Sequence, residues 1–80
     1  MPKKNDIINA LNKRIAHNIR LYRIKRDLSR RDLAKSIDVS YQQVNNYESG
    51  DDKVGAARLY LIAKALKVSI SKLIKNDTLD

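Results

Sequence analysis

The stretch SRRDLAKSIDVSYQQVNNYESG, residues 29–50, decides the reading of this chain. Ser29 can accept a hydrogen bond from the first turn of a helix, and Asp32 three residues on makes a weak capping box with it. Leu33 and Ile37 are an apolar i, i+4 pair, so a helix of about two turns is expected there. Asp38 tolerates left-handed backbone better than most residues and permits a sharp turn. Ser40 then caps a second helix, which Gly50 terminates, and residues 49–53 form a loop.

The second helix has two unlike faces. At about 100° per residue, Val44 and Tyr47 point toward a core, whereas Gln42, Asn45, Asn46 and Ser49 point away from it, flanked by Tyr41 and Gln43. A solvated face normally uses Lys and Glu, which are good helix formers, and Asn is a poor one. Side-chain amides offer a donor beside an acceptor, which matches N6 and N7 of adenine in the major groove. A lysine-rich face would grip phosphates and carry little sequence information.

Working outward, Ile7, Ile8, Leu11, Ile15, Ile19 and Tyr22 recur at helical spacing, with Asp6 as the expected N-cap. Residues 1–12 read either as an arm or as an extension of helix one. Ala56, Leu59, Ile62, Ala63 and Leu66 predict a helix over roughly 55–67 with Gly55 as its cap. Ser71 is expected to cap a last short helix carrying Leu73 and Ile74, and 76–80 reads as a polar tail. No alternating strand pattern occurs, so the residues alone give four or five short helices.

Eighty residues make one domain at most, with a modest core. The absence of Cys excludes disulfides, thiolate metal sites and cysteine nucleophiles together. His17 is the one histidine, so no metal site and no cofactor are expected. No catalytic constellation is found, and the chain reads as a non-enzyme. It has no apolar run long enough to span a membrane and no signal peptide, which predicts a cytoplasmic protein. The charge is +8, and all of that excess falls in residues 1–35, which carry eleven basic and three acidic residues. Such asymmetry points to a polyanionic partner.

Arg30-Arg31-Asp32-Leu33-Ala34, Val39-Ser40, Val44 and Tyr47-Glu48-Ser49-Gly50 together resemble the phage Cro/lambda-repressor (XRE-type) helix-turn-helix family. The likeness runs from Ile15, Ile19 and Arg23 to Leu59, Ile62-Ala63, Leu66, Val68 and Leu73, about residues 13–75. It is similar to a branch of small stand-alone bacterial regulators. The resemblance implies an all-α bundle of five short helices with a central helix-turn-helix, which binds operator DNA as a two-fold dimer. It places the base-reading positions on Ser40, Tyr41, Gln42, Gln43, Asn45 and Asn46, with Gln42 and Asn46 foremost. It pairs Arg23 with Glu48, tying helix one to the recognition helix.

Phosphate contacts are expected from Arg30 and Arg31 at the start of helix two, from Ser49 and from Lys53 in the following loop. Lys3 and Lys4 are candidates for a flexible arm, and Arg14, Lys25 and Arg26 are weaker candidates. Two departures stand out: the family's usual Gln at the start of helix two is Arg30, and its turn Gly is Asp38. With no room foreseen for a further domain, the dimer is expected to use the bundle itself, which by the resemblance means helices four and five around Tyr60, Lys64, Lys67, Val68, Ile70 and Ile74. Ile7, Ile8 and Leu11 offer an additional contact.

The leading expectation is a regulator of transcription that reads duplex DNA, either a repressor or an autoregulator, nucleoid-associated in a bacterium or phage-encoded. The alternative is a protein-binding module such as an antitoxin, which would call for apolar rather than amide residues on the second helix. A membrane-surface role ranks last, because helix one carries no Trp or Phe.

Overall fold

The computed structural model describes residues 1–75 as five helices, and no strand occurs among them. The expected tail at 76–80 lies outside the described residues. The helices are α1 (Lys4–Lys25), α2 (Arg30–Ile37), α3 (Tyr41–Ser49), α4 (Ala56–Leu66) and α5 (Ile70–Ile74). Their core joins Ile19 of α1, Leu33 and Ile37 of α2, Val44 and Tyr47 of α3, Leu59, Ile62 and Leu66 of α4, and Leu73 of α5. Burying one such aliphatic side chain contributes about 1.5–3 kcal/mol.

The caps explain where the middle helices start and stop. The Ser29 hydroxyl accepts from the Asp32 backbone N–H at 3.0 Å, and the Asp32 carboxylate accepts from the Ser29 N–H at 3.1 Å. The Ser29 backbone N–H foremost, and the Ser29 hydroxyl after it, hold the Asp32 carboxyl below its ordinary value. Ser40 caps α3 by accepting from the Gln43 N–H at 3.0 Å. Asp38 ends α2 in the left-handed region, at φ 57° and ψ 51°, and Gly50 ends α3 at φ 82°. The Val39 N–H reaches back to the Ala34 carbonyl at 3.0 Å, closing the turn between α2 and α3.

Because Asp38 holds a left-handed conformation that glycine adopts without a Cβ penalty, Asp38→Gly should relieve strain. It also removes a carboxylate from the negative end of the α2 dipole. The expected result is a gain of about 1 kcal/mol, read as a rise of roughly 4–8 °C in the thermal midpoint.

Two expectations need correcting. Asp6 is not the N-cap of α1. Lys3 holds that position, and Asp6 sits in the first turn, accepting from the Lys3 backbone N–H at 3.4 Å. Ser71 is not the cap of α5. Lys67 turns left-handed at φ 58° directly after α4, which leaves Val68 alone before Ser69, and Ser69 accepts from the Lys72 N–H at 3.2 Å. The apolar stripe of α1 is only partly core. Ile15, Ile19 and Tyr22 pack on the bundle, but Ile7 and Ile8 are 48% and 47% exposed. The helix is continuous from Lys4, about 33 Å long at 1.5 Å per residue, and its first turns bury no residue against the bundle.

Asn18 was not singled out by its sequence position, yet it is buried to 1% exposure. Its amide donates to the carbonyls of Leu73 and Lys75, both at 2.9 Å, so α1 holds the end of α5. Arginines do the same elsewhere. Arg26 donates to the Leu66 and Lys67 carbonyls at 2.8 and 3.1 Å, closing the end of α4, and Arg58 donates to the Ile37 carbonyl at the end of α2. Part of the basic excess is therefore engaged with helix C-termini, where cations are favoured.

Candidate nucleic-acid interface

The orientation of α3 is fixed from beneath by Val44, which is fully buried, and Tyr47, which is 9% exposed. Glu48 fixes it from the side. Its carboxylate accepts from Arg23 Nε at 2.6 Å, Arg23 Nη2 at 3.0 Å and Arg30 Nε at 3.1 Å. The side chains of Arg23 and Glu48 are only 9% and 3% exposed. A bidentate, nearly dry pair of this kind fixes geometry as well as charge. Arg23 Nη1 also donates to the Leu28 carbonyl at 2.8 Å, so one guanidinium joins α1, the loop before α2, and α3.

Arg30 thus shares the Glu48 carboxylate with Arg23. Its Nε is held by Glu48, which raises the guanidinium's pKa, while the side chain remains one-third exposed. The pair at Arg23 and Glu48 has become a triad with the residue that departs from the family's usual Gln.

The outward side of α3 divides into three parts. At its leading end, Tyr41 is exposed and the Arg31 guanidinium lies 5.1 Å from its ring centroid, within cation–π range. Ser40 is exposed there, though its hydroxyl is engaged in capping. Along the middle, Gln42 Nε2 donates to Asn46 Oδ1 at 3.0 Å, while Gln43 Nε2 and Asn46 Nδ2 both donate to Asp52 Oδ2 at 3.0 and 3.2 Å. At the trailing end, Asn45 and Ser49 line an open cleft of about 260 Å³ together with Arg20, Arg30 and Glu48. The Ser49 hydroxyl donates to the Asn46 carbonyl at 3.1 Å and accepts from the Asp51 N–H at 3.3 Å. Lys53 is exposed in the loop beyond.

Two of these residues escaped the sequence reading. Arg20 lies one turn before Arg23 on α1, so the helical period that placed Arg23 against α3 could have found it. Asp52 had no such signal, because only the chain reversal at Gly50 brings it back over α3. Arg14 and Arg26, weaker candidates for phosphate, are engaged with backbone carbonyls: Arg14 Nη1 donates to the Ile74 carbonyl at 3.4 Å and Arg26 to the end of α4. Lys3 and Lys4 stand at the start of α1 rather than on a separate arm.

Among the described residues no helix is long and apolar enough to cross a membrane, and no three His, Cys, Asp or Glu side chains gather as metal ligands. A short helix, a left-handed turn and a capped second helix with a polar outer face define a helix-turn-helix protein. The chain belongs to the helix-turn-helix family HTH_3, of the Cro/C1 (XRE) type, whose profile matches residues 19–73.

Its relatives are HTH-type transcriptional regulators. RP497 of Rickettsia prowazekii is 41% identical over 70 residues, covering 88% of this chain and 54% of that protein. The chain spans about half the length of the curated relatives it matches. Among solved structures, a hypothetical transcription factor, NHTF, from Neisseria superposes with a TM-score of 0.81 at 23% identity, covering 99% of this chain and 86% of that one. An HTH_3 family transcriptional regulator from Vibrio cholerae gives 0.78 at 28% identity, covering 89% of this chain and 40% of its own.

Proposed function

We propose that this chain regulates transcription by binding an inverted-repeat operator as a dimer, with α3 in the major groove. The observation that carries this reading is the outer face of α3. Gln42, Gln43, Asn45 and Asn46 present amides there, while Arg31 and Lys53 bound the helix at its two ends with exposed cations. Amides suit base edges, and the flanking cations suit phosphates. Ser40 and Tyr41 complete the reading surface at the leading end. Arg30, Arg31, Ser49 and Lys53 serve the backbone, and residues 13–75 form the binding domain. An antitoxin-like docking role would call for apolar side chains on α3, and Tyr41 is the single large exposed one there.

The dimer in this reading forms through α4 and α5. Tyr60, Leu61 and Ile74 are exposed there at 52%, 38% and 37%, beside exposed Lys64 and Lys67 and half-buried Val68 and Ile70. A two-fold axis through that surface would set two α3 helices on one face of the duplex. The protein then acts by occupying DNA that overlaps promoters, as a repressor or autoregulator in the cytoplasm, and not by catalysis.

The test is selection of bound duplexes from a random pool at about 150 mM salt, where nonspecific binding is suppressed. The expected product is an inverted repeat with half-sites about 10 base pairs apart, one helical turn. Weak, salt-sensitive binding without an enriched sequence would refute the reading.

A further inference from the structure

We infer that Asp52 is a specificity-determining residue: its carboxylate sets the direction of the side-chain amides on α3 and thereby selects which bases they accept. The inference rests on the groove-reading role of α3 proposed above. It begins from a feature that role does not require, an acidic side chain placed over a surface meant for a polyanion.

The chain turns at Gly50, at φ 82°, and the Asp52 backbone N–H donates back to the Asn46 carbonyl at 3.2 Å. That bond anchors Asp52 over the last turn of α3. Its Oδ2 then receives Gln43 Nε2 at 3.0 Å and Asn46 Nδ2 at 3.2 Å, and Asn46 Oδ1 receives Gln42 Nε2 at 3.0 Å.

An ionised carboxylate only accepts hydrogen bonds, whereas an amide both donates and accepts. With Asp52 at its end, the network runs one way. Gln43 and Asn46 must turn their NH2 groups toward Asp52. The Asn46 carbonyl then faces Gln42, which must offer its own NH2. Bonds to a charged acceptor are about twice as strong as those between neutral groups, so the terminus that fixes direction is also the strongest link. Gln42 and Gln43 are left with a free carbonyl oxygen and one remaining N–H each. One acceptor beside one donor is the complement of adenine N6 and N7, whereas guanine presents two acceptors.

An asparagine at 52 would break this logic. It can accept from one amide and donate to another, so the network could run in either direction and each glutamine amide could turn over. The charge effect is separate. Removing a carboxylate from this face should strengthen binding to every duplex, whatever its sequence.

Asp51 supplies the control. It is the adjacent exposed carboxylate, and it holds none of these amides: its backbone N–H donates to Ser49 Oγ. The experiment is selection from a random duplex pool with the wild-type chain, Asp52→Asn and Asp51→Asn, followed by affinities for the selected site, its single-base variants and random DNA.

The wild-type chain should enrich adenine at the positions facing Gln42 and Gln43. Asp52→Asn should lower the preference there by about tenfold, leave the other positions intact and bind random DNA more tightly. Asp51→Asn should raise affinity for all sequences and leave the selected site unchanged. Thermal unfolding should match across the three, since residues 51 and 52 are exposed. A uniform rise in affinity with unchanged base preference in Asp52→Asn would overturn the inference, as would no change at all. If the wild-type chain itself enriches nothing, the groove reading has failed and this inference falls with it. If the wild-type site is clear and Asp52→Asn shares it, the inference alone has failed.

Discussion

Glu48→Ala is expected to cost the fold about 3–5 kcal/mol, measured by urea or thermal unfolding. The reason is what the substitution leaves behind. The Arg23 guanidinium, 9% exposed, would lose two carboxylate bonds at 2.6 and 3.0 Å and keep only the Leu28 carbonyl. A buried cation without its partner is far more costly than a buried pair that was never built. A domain of this size has about 4–12 kcal/mol in total, so the variant should lose much of its stability and melt more than about 10 °C lower. Glu48→Gln keeps an acceptor and should cost less. Replacing both partners by apolar residues, Arg23→Met with Glu48→Leu, should recover much of the loss. If Glu48→Ala unfolded with the wild-type midpoint, the contact between α1 and α3 would not depend on this pair.

The pair also shows how a residue can be legible by family likeness and still incompletely understood. The resemblance placed Arg23 against Glu48, and the structure has that bond. It did not foresee that Arg30, standing where the family carries Gln, would share the same carboxylate. The helix-turn-helix was readable because its signals are local. Ser29, Asp38, Ser40 and Gly50 each govern backbone within four residues of themselves, and each sits where its chemistry directs.

Features that depend on distant partners were not readable. Asn18 meets α5 some 55 residues later, Arg26 meets Leu66 across 40 residues, and Arg58 meets Ile37 across 21. Their side chains look like surface residues until the fold brings a carbonyl to them. Periodicity is silent on burial at the start of α1 for a related reason. It shows that Ile7, Ile8 and Leu11 share a face with Ile15 and Ile19, but not whether anything lies beneath that face. On α3 the same kind of pattern succeeded, because Val44 and Tyr47 had the whole bundle beneath them.

The second large effect is expected at Gln42. Its side chain is exposed and bonded only to Asn46 Oδ1, so Gln42→Ala should leave unfolding within about 0.5 kcal/mol of the wild type. Its effect on DNA should be much larger. Losing one amide that pairs with a base edge costs about 1–3 kcal/mol at that base, a tenfold to roughly hundredfold weaker hold on the selected operator. Affinity for random DNA and the dependence on salt should scarcely move, because Gln42 neutralises no phosphate. Lys53→Ala should behave in the opposite way: weaker binding to every duplex, a salt slope lower by about one, and the same preferred sequence. The contrast separates reading from gripping in two exposed residues that differ little in their effect on the fold. Equal losses on operator and random DNA for Gln42→Ala would remove Gln42 from the reading surface. The amide chain from Gln42 through Asn46 would then be a local brace for the end of α3, and the base contacts would have to come from Tyr41, Asn45 or the cleft beside Arg20.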